Sequence, residues 1–237
     1  MWSERTSLVA LERAASWKID ERATVESRSG FARREIGALV RLRRLSIDPT
    51  REPERCAHYV GLEHVESRTG ELRQSDRATR RVPRSRCKGF APGDVLYGRL
   101  RPYLNKVYHE PADGSAGACS PEFIVLEPRT DRVDPVFLRA LLASPYVLDA
   151  ICACQAGTTL PRVDADDLLE IRVPLPPLDV QRQVSADLER AREARRALER
   201  EMARLERDTQ ERFTRAIEET RGPERLQGES SAEPEDA

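Results

Sequence analysis

The stretch 179–219 contains neither glycine nor proline and follows prolines at 174, 176 and 177. Those prolines hold the backbone extended and exclude helix. Asp179 behind them is the predicted N-cap, its carboxylate accepting from free N–H groups of the first turn. The residues that follow are rich in Glu, Arg, Ala and Leu, all strong helix formers. One long α-helix is therefore expected, spanning roughly 60 Å at about 1.5 Å per residue. No small domain can cover that length. Val184, Leu188, Ala191, Leu198, Met202 and Leu205 recur in steps of four and three, the a/d rhythm of a coiled-coil seam. Arg195 and Thr209 interrupt it, and Phe213 and Ile217 resume it out of phase. A partner helix, from another chain or another part of this one, is expected; a long solvated helix is the alternative.

The remaining length, within 237 residues, suffices for one good-sized core. Charged residues make up 34%, which predicts a soluble protein with a charge-rich surface. The net charge of −1 conceals an uneven distribution. Residues 28–110 hold 19 basic against 10 acidic side chains, and residues 111–237 hold 17 against 26. A basic block inside a near-neutral chain points to a local polyanion site. Only Lys18, Lys88 and Lys106 among the basic residues are lysine, a bias that GC-rich coding also produces. Cys56, Cys87, Cys119, Cys152 and Cys154 form no disulfide or zinc-like pattern, so buried reduced thiols are expected. No basic-then-apolar signal segment opens the sequence. The most apolar region, 136–156, contains Arg139, Pro145 and Asp149 and is not a membrane span. These features fit a reducing cytoplasm.

Ahead of the long helix the pattern is mixed. Residues 6–17 suit a short amphipathic helix and 20–30 a linker. Residues 33–45 read as a short helix passing into a strand that ends near Asp48-Pro49. Strands are expected at 59–65, 95–97, 123–126 and 171–173, with Val107 extended. Residues 100–106 should turn, and 73–88 should form an exposed loop. Asp134-Pro135 and Ser144-Pro145 each mark a helix start, with proline at the first helical position. Asp164 should cap a third helix. The acidic tail 221–237 is expected to be disordered. The domain plan is an extension over 1–30, an α+β body over 31–178, a helix over 179–220 and the tail.

This order resembles the specificity subunit of type I restriction-modification enzymes. The matching segments are IGALVRLRRLSIDP (36–49), YVGLEHVESRTG (59–70), FAPGDVLYGRLRPYLNKV (90–107), CSPEFIVLEP (119–128), LLASPYV (141–147) and GTTLPRVDADDLLEIRVPLPPLDVQRQV (157–184). Val180 stands before Gln181 where the family commonly has Glu. The resemblance implies a mixed α/β target-recognition domain and a conserved helix that pairs antiparallel with a second such helix. A full subunit has two of each, so this chain resembles a half-subunit. The implied partners are double-stranded DNA, methyltransferase subunits, restriction subunits, and a second copy or a different half. No cofactor is implied.

The candidate DNA contacts are basic, because arginine and lysine serve phosphates and guanine edges. The loop residues Arg73, Arg77, Arg80, Arg81, Arg84, Arg86 and Lys88 come first, with solvation the competing reading for about half of them. Arg99, Arg101 and Lys106 follow, against the alternative that LRPYLNK is a structural turn with Tyr103 and Leu104 packed inward. Arg41, Arg43 and Arg44 are third, and equally suit a solvated face. Gly157, Thr158 and Arg162 match a family motif that could equally fix the domain against the helix. Catalysis finds little support. The only double proline, Pro176-Pro177, lies between leucines, unlike the motif of amino-methyltransferases. Ser16, Arg86 and Leu104 stand two residues before the three lysines, where a common nuclease core needs an acid. His58, His64 and His109 are scattered, and Glu63, Glu66, Asp164, Asp166 and Asp167 read as caps or surface before metal ligands. The chain is expected to be a non-catalytic DNA-recognition subunit. A coiled-coil interaction adaptor or a homodimeric DNA-binding regulator is the alternative.

Overall fold

The computed structural model describes residues 30–73, 83, 85–153 and 161–220. The expectations for the first 29 residues, the tail, Cys154, Gly157, Thr158, Arg77, Arg80, Arg81 and Arg84 lie outside the described residues.

The chain enters β1 (Arg33–Glu35), passes a 3-10 turn at Ile36–Ala38, and continues into β2 (Val40–Leu42) and β3 (Ser46–Ile47). β4 (Tyr59–Val60) is followed by a 3-10 turn at Leu62–His64. Then come β5 (Cys87–Phe90), β6 (Val95–Gly98), β7 (Val107–His109), β8 (Gly117–Cys119) and β9 (Phe123–Pro128). Helices α1 (Pro135–Leu142), α2 (Pro145–Ala153) and α3 (Ala165–Glu170) precede β10 (Arg172–Pro174) and the long α4 (Leu178–Thr220).

A four-stranded antiparallel sheet in the order β2-β9-β6-β7 forms the centre. Side chains on a strand alternate faces. Val95, Tyr97, Val107, Ile124 and Leu126 accordingly join one core, with Leu138, Leu142, Val147 and Ile151 of α1 and α2. Leu96, Tyr108, Phe123 and Val125 join a second core with Val60, Phe90 and Cys119. The second core comes from another sheet, β3-β5-β8-β4, in which only β4 and β8 run parallel. A sheet covered on both faces demands apolar residues at successive positions, which is why VLY and FIVL are unbroken. The fold is α+β with a long C-terminal helix. Among the described residues no single helix is long and apolar enough to cross a membrane.

Several local expectations are corrected. Residues 33–45 hold no α-helix; β1 pairs with β10 and β2 with β9 instead. The strand expected over 59–65 stops at Val60. Lys88 lies within β5 rather than in a loop. Asp164 precedes α3 but caps nothing with its side chain; its carboxylate accepts from Arg99 at 2.9 Å. Asp179 is inside the first turn of α4, which starts one residue earlier. Cys56, Cys87 and Cys119 are buried while Cys152 is exposed. Burial pushes the Cys87 thiol up to about 11. Asp134 does cap α1, accepting from Val136 N–H at 3.0 Å and Phe137 N–H at 3.1 Å.

The 43-residue α4 spans about 65 Å. The chain divides into two compact units between Ser185 and Ala186, so the helix's first two turns belong to the α+β body. Gln181 is only 1% exposed. Its Nε2 donates to Pro176 O at 2.8 Å and Arg132 O at 3.2 Å, and its Oε1 accepts from Asp134 N–H at 2.9 Å. Ser185 Oγ donates to the Asp134 carboxylate.

Glu110 is the buried carboxylate beyond β7. It accepts from Tyr108 OH at 2.8 Å and Ser115 N–H at 3.0 Å, and meets His58 Nε2 at 3.0 Å. Burial pushes its carboxyl up, but the bonds from His58, Tyr108 and Ser115 outweigh that and hold it below its ordinary 4.5. A depressed folded-state pKa contributes stability above the unfolded value that is lost as pH falls through the folded one. Glu110→Gln is therefore expected to lose stability at pH 7 and to approach the wild type as pH falls from about 4.5 through the lower folded-state value. Urea unfolding from pH 3 to 7 reads this. A constant difference across that range would show that the carboxyl titrates alike in the folded and unfolded chain, so that these bonds do not depress it.

Candidate nucleic-acid interface

A cleft of about 470 Å³ opens where the end of β2, strands β3 and β5, and the residue after β6 come together. Its basic residues are Arg43, Arg44, Arg86, Lys88 and Arg99, and no acid lines it among the described residues. Leu42, Ile124 and Val125 give it an apolar floor. The β3–β5 pairing sets Ser46 opposite Lys88 and Ile47 opposite Cys87, and Arg44 and Arg86, which flank the two strands, both line the cleft.

The five cations differ in what occupies them. Arg43 is consumed: it donates to Asp94 through Nε at 2.6 Å and NH2 at 3.1 Å, with Glu127 at 3.4 Å. Those carboxylates, Asp94 foremost, raise its pKa further. Lys88 donates to Phe123 O at 2.7 Å. Burial, then the neighbouring charge of Arg99, pulls its ammonium below the ordinary value. Arg99 reaches Asp164 through NH2, while its buried Nε has no partner among the described residues. Arg44 is exposed and makes no ion pair among the described residues. Arg86 is exposed, and its charge is felt by Asp48.

Of the described candidate residues, the cleft gathers Arg43, Arg44, Arg86, Lys88 and Arg99, while Arg41, Arg73, Arg101, Lys106 and Arg162 do not line it. Arg73 is exposed, and its charge acts on Lys106. Lys106 donates to Leu62 O at 2.7 Å, and burial lowers its pKa before Arg73 adds to the effect. Arg101 is exposed in the left-handed region at φ 51°, before the 3-10 turn Pro102–Leu104; Asn105 closes the turn at φ 48°. Two non-glycine residues in that region store backbone strain of about 1–3 kcal/mol each. Tyr103 points outward, 53% exposed, and Leu104 is half-buried. Arg162 forms a bidentate pair with Glu122, at 3.1 and 3.2 Å. Among the described residues no group of three acidic, histidine or cysteine side chains could hold a metal. The sequence does not distinguish Arg44 from Arg41 and Arg43, because only the folded chain shows which of them line the cleft.

On α4, Leu198, Met202 and Leu205 are 67%, 61% and 56% exposed. Ala191 is exposed, Leu188 half-buried, and Val184 exposed within the first turns. The two polar interruptions are satisfied within the helix. Arg195 pairs with Glu199 at 2.6 Å, and Thr209 Oγ1 donates to Leu205 O at 2.7 Å.

No family model matches the chain. Over 126 residues, 53% of its length, it is 29% identical to the type I restriction enzyme EcoDI specificity subunit of Escherichia coli. The crystal structure of the HsdS subunit from Thermoanaerobacter tengcongensis superposes with a TM-score of 0.55 at 27% identity over 81% of this chain. This chain is similar to type I specificity subunits. A second solved chain, from work on complex assembly and conformational transition of the type I R-M system, gives a TM-score of 0.56 at 25% identity over 85% of this chain. The match covers 27% of the Escherichia coli specificity subunit and 50% and 52% of the two solved chains. The likeness to those chains runs through the α+β body and the long helix that follows it.

Proposed function

We propose that the chain is the sequence-reading component of a type I restriction-modification complex: its body reads one half-site in double-stranded DNA, and α4 spaces two such bodies. The observation that carries this reading is a basic cleft with no acid among its described lining residues, in a body similar to specificity subunits. Arg73, Arg77, Arg80, Arg81, Arg84, Arg86, Lys88, Arg99, Arg101 and Lys106 are the proposed pool of DNA contacts. The exposed stripe Leu198, Met202 and Leu205 supports pairing with an antiparallel partner helix, from a second copy or a different specificity half. Methyltransferase subunits, and restriction subunits where present, would assemble on the paired helices in the cytoplasm. The chain itself supplies recognition, and its partners supply the chemistry.

A two-fold pair of identical bodies reads two identical half-sites in inverted orientation. At about 3.4 Å per base pair, a helix of roughly 65 Å limits the gap to under about 20 base pairs. Methylation of random double-stranded DNA by the purified chain with its methyltransferase subunit is expected to map to a gapped palindrome. A gapped asymmetric site would mean that a different half is the partner. An active methyltransferase with no sequence preference would overturn the reading in favour of an interaction adaptor.

A further inference from the structure

The cleft holds two cations that lack a full complement of anions. Lys88 and Arg99 stand close enough that the charge of one depresses the ionisation of the other. Like charges held together in a half-buried site cost free energy unless an anion joins them. Arg99 also keeps a buried Nε–H with no acceptor among the described residues. An unpaired buried donor is a standing cost that a ligand oxygen would remove. Arg43, a few ångströms of chain away, is what a purely structural arginine looks like here, closed off by Asp94 and Glu127. Asp164 meets Arg99 only from an exposed position and does not line the cleft. Arg44 and Arg86, both exposed, complete the rim.

We propose that this cleft is a phosphate seat: Lys88 and Arg99 in its wall, with Arg44 and Arg86 at its rim, grip one backbone phosphate of the bound duplex. The inference rests on the DNA-reading function and goes further, because it gives these four residues an anchoring task and not a base-reading one. Phosphate contacts fix register and orientation without carrying sequence information. The apolar floor of Leu42, Ile124 and Val125 suits the deoxyribose faces beside a phosphodiester.

The test uses the full chain with its methyltransferase subunit and a duplex carrying the methylated site. Arg44→Gln and Arg86→Gln are made together, since both side chains are exposed and the fold does not depend on them. Affinity for target and non-target duplexes is expected to fall in parallel by about tenfold, with the salt slope shallower by about one unit and the methylated sequence unchanged. In the wild type, one neutral methylphosphonate position in the duplex should lower affinity by at least as much, and in the double variant the same position should cost clearly less, because only Lys88 and Arg99 still hold that phosphate; equal costs in the two proteins overturn the seat. Unchanged affinity and slope in the variant overturn the seat while leaving the DNA-reading function intact. So does a relaxed base preference at one position, which would mean a base-edge contact. A wild-type complex that prefers no sequence removes the function itself, and the seat with it.

Discussion

Leu198→Asp, Met202→Asp and Leu205→Asp made together are expected to leave a chain that is monomeric at every concentration reachable by analytical ultracentrifugation. Each of these side chains is more than half exposed, so the substitutions remove no contact that holds the body together. Within a coiled-coil seam each would be buried, and full burial of a leucine or methionine contributes about 1.5–3 kcal/mol. Three such losses come to about 6 kcal/mol, or roughly four decades in the dissociation constant, before any cost of burying carboxylates is added. The thermal transition of the body should not move by more than a degree or two. Affinity for the gapped site should collapse to that for a single half-site, because the second body is no longer held in place. A variant that stays dimeric would place the interface elsewhere and end the spacing role assigned to α4. Mixed with wild type, the triple variant is also expected not to form heterodimers.

What could be read from sequence, and what could not, follows from how local each determinant is. Asp134-Pro135 is a complete instruction, with a cap and a residue whose φ is already helical, and α1 starts there. The unbroken runs at 95–97 and 123–126 needed only the alternation rule and two-faced burial. Residues 33–45 failed because Ile36, Leu39, Val40 and Leu42 have helical spacing but are claimed by distant strands, β9 and β10. Pairing across more than eighty residues of chain overrides a weak local preference. Gly37 fits that outcome, since a Cβ there would crowd the Leu169 carbonyl at 3.3 Å. Asp164 is a good cap by type, yet Arg99 takes its carboxylate. The site divides in the same way. Sequence can name every cation, but it does not reveal that Asp94 consumes Arg43 or that Leu62 O takes Lys106. Nor does it reveal that Arg44 and Arg86 line one cleft. Charge is a property of residues; an anion site is a property of what remains after neighbours have been satisfied.

Gln181→Leu is expected to cost about 2–4 kcal/mol of stability, the largest effect of any single substitution near the root of the helix. Leucine is about as bulky but branches one carbon earlier and has no polar atom, so the loss is mainly polar. Three backbone groups lose their partner: the N–H of Asp134 and the carbonyls of Arg132 and Pro176. Some of these groups sit in half-exposed residues that water can reach, which holds the cost below three full desolvation penalties. Gln181→Glu separates geometry from polarity. A carboxylate can still accept from Asp134 N–H, but it has no hydrogen to give the two carbonyls and would place its charge against them and the Asp134 carboxylate. It should therefore be at least as damaging as leucine near neutral pH. As the pH falls and the new carboxyl gains a proton, it can donate once, and part of the loss should return. Denaturant unfolding of the three proteins between pH 4 and 7 measures this. Equal stability of wild type and Gln181→Leu would mean that the amide bridges are replaced by water at no cost. A Gln181→Glu protein that gains nothing on acidification, relative to leucine, would show that the carbonyls of Arg132 and Pro176 do not need a donor. Either result would detach the root of α4 from the turn that starts α1, whereas the expected pattern makes one buried amide the joint between them.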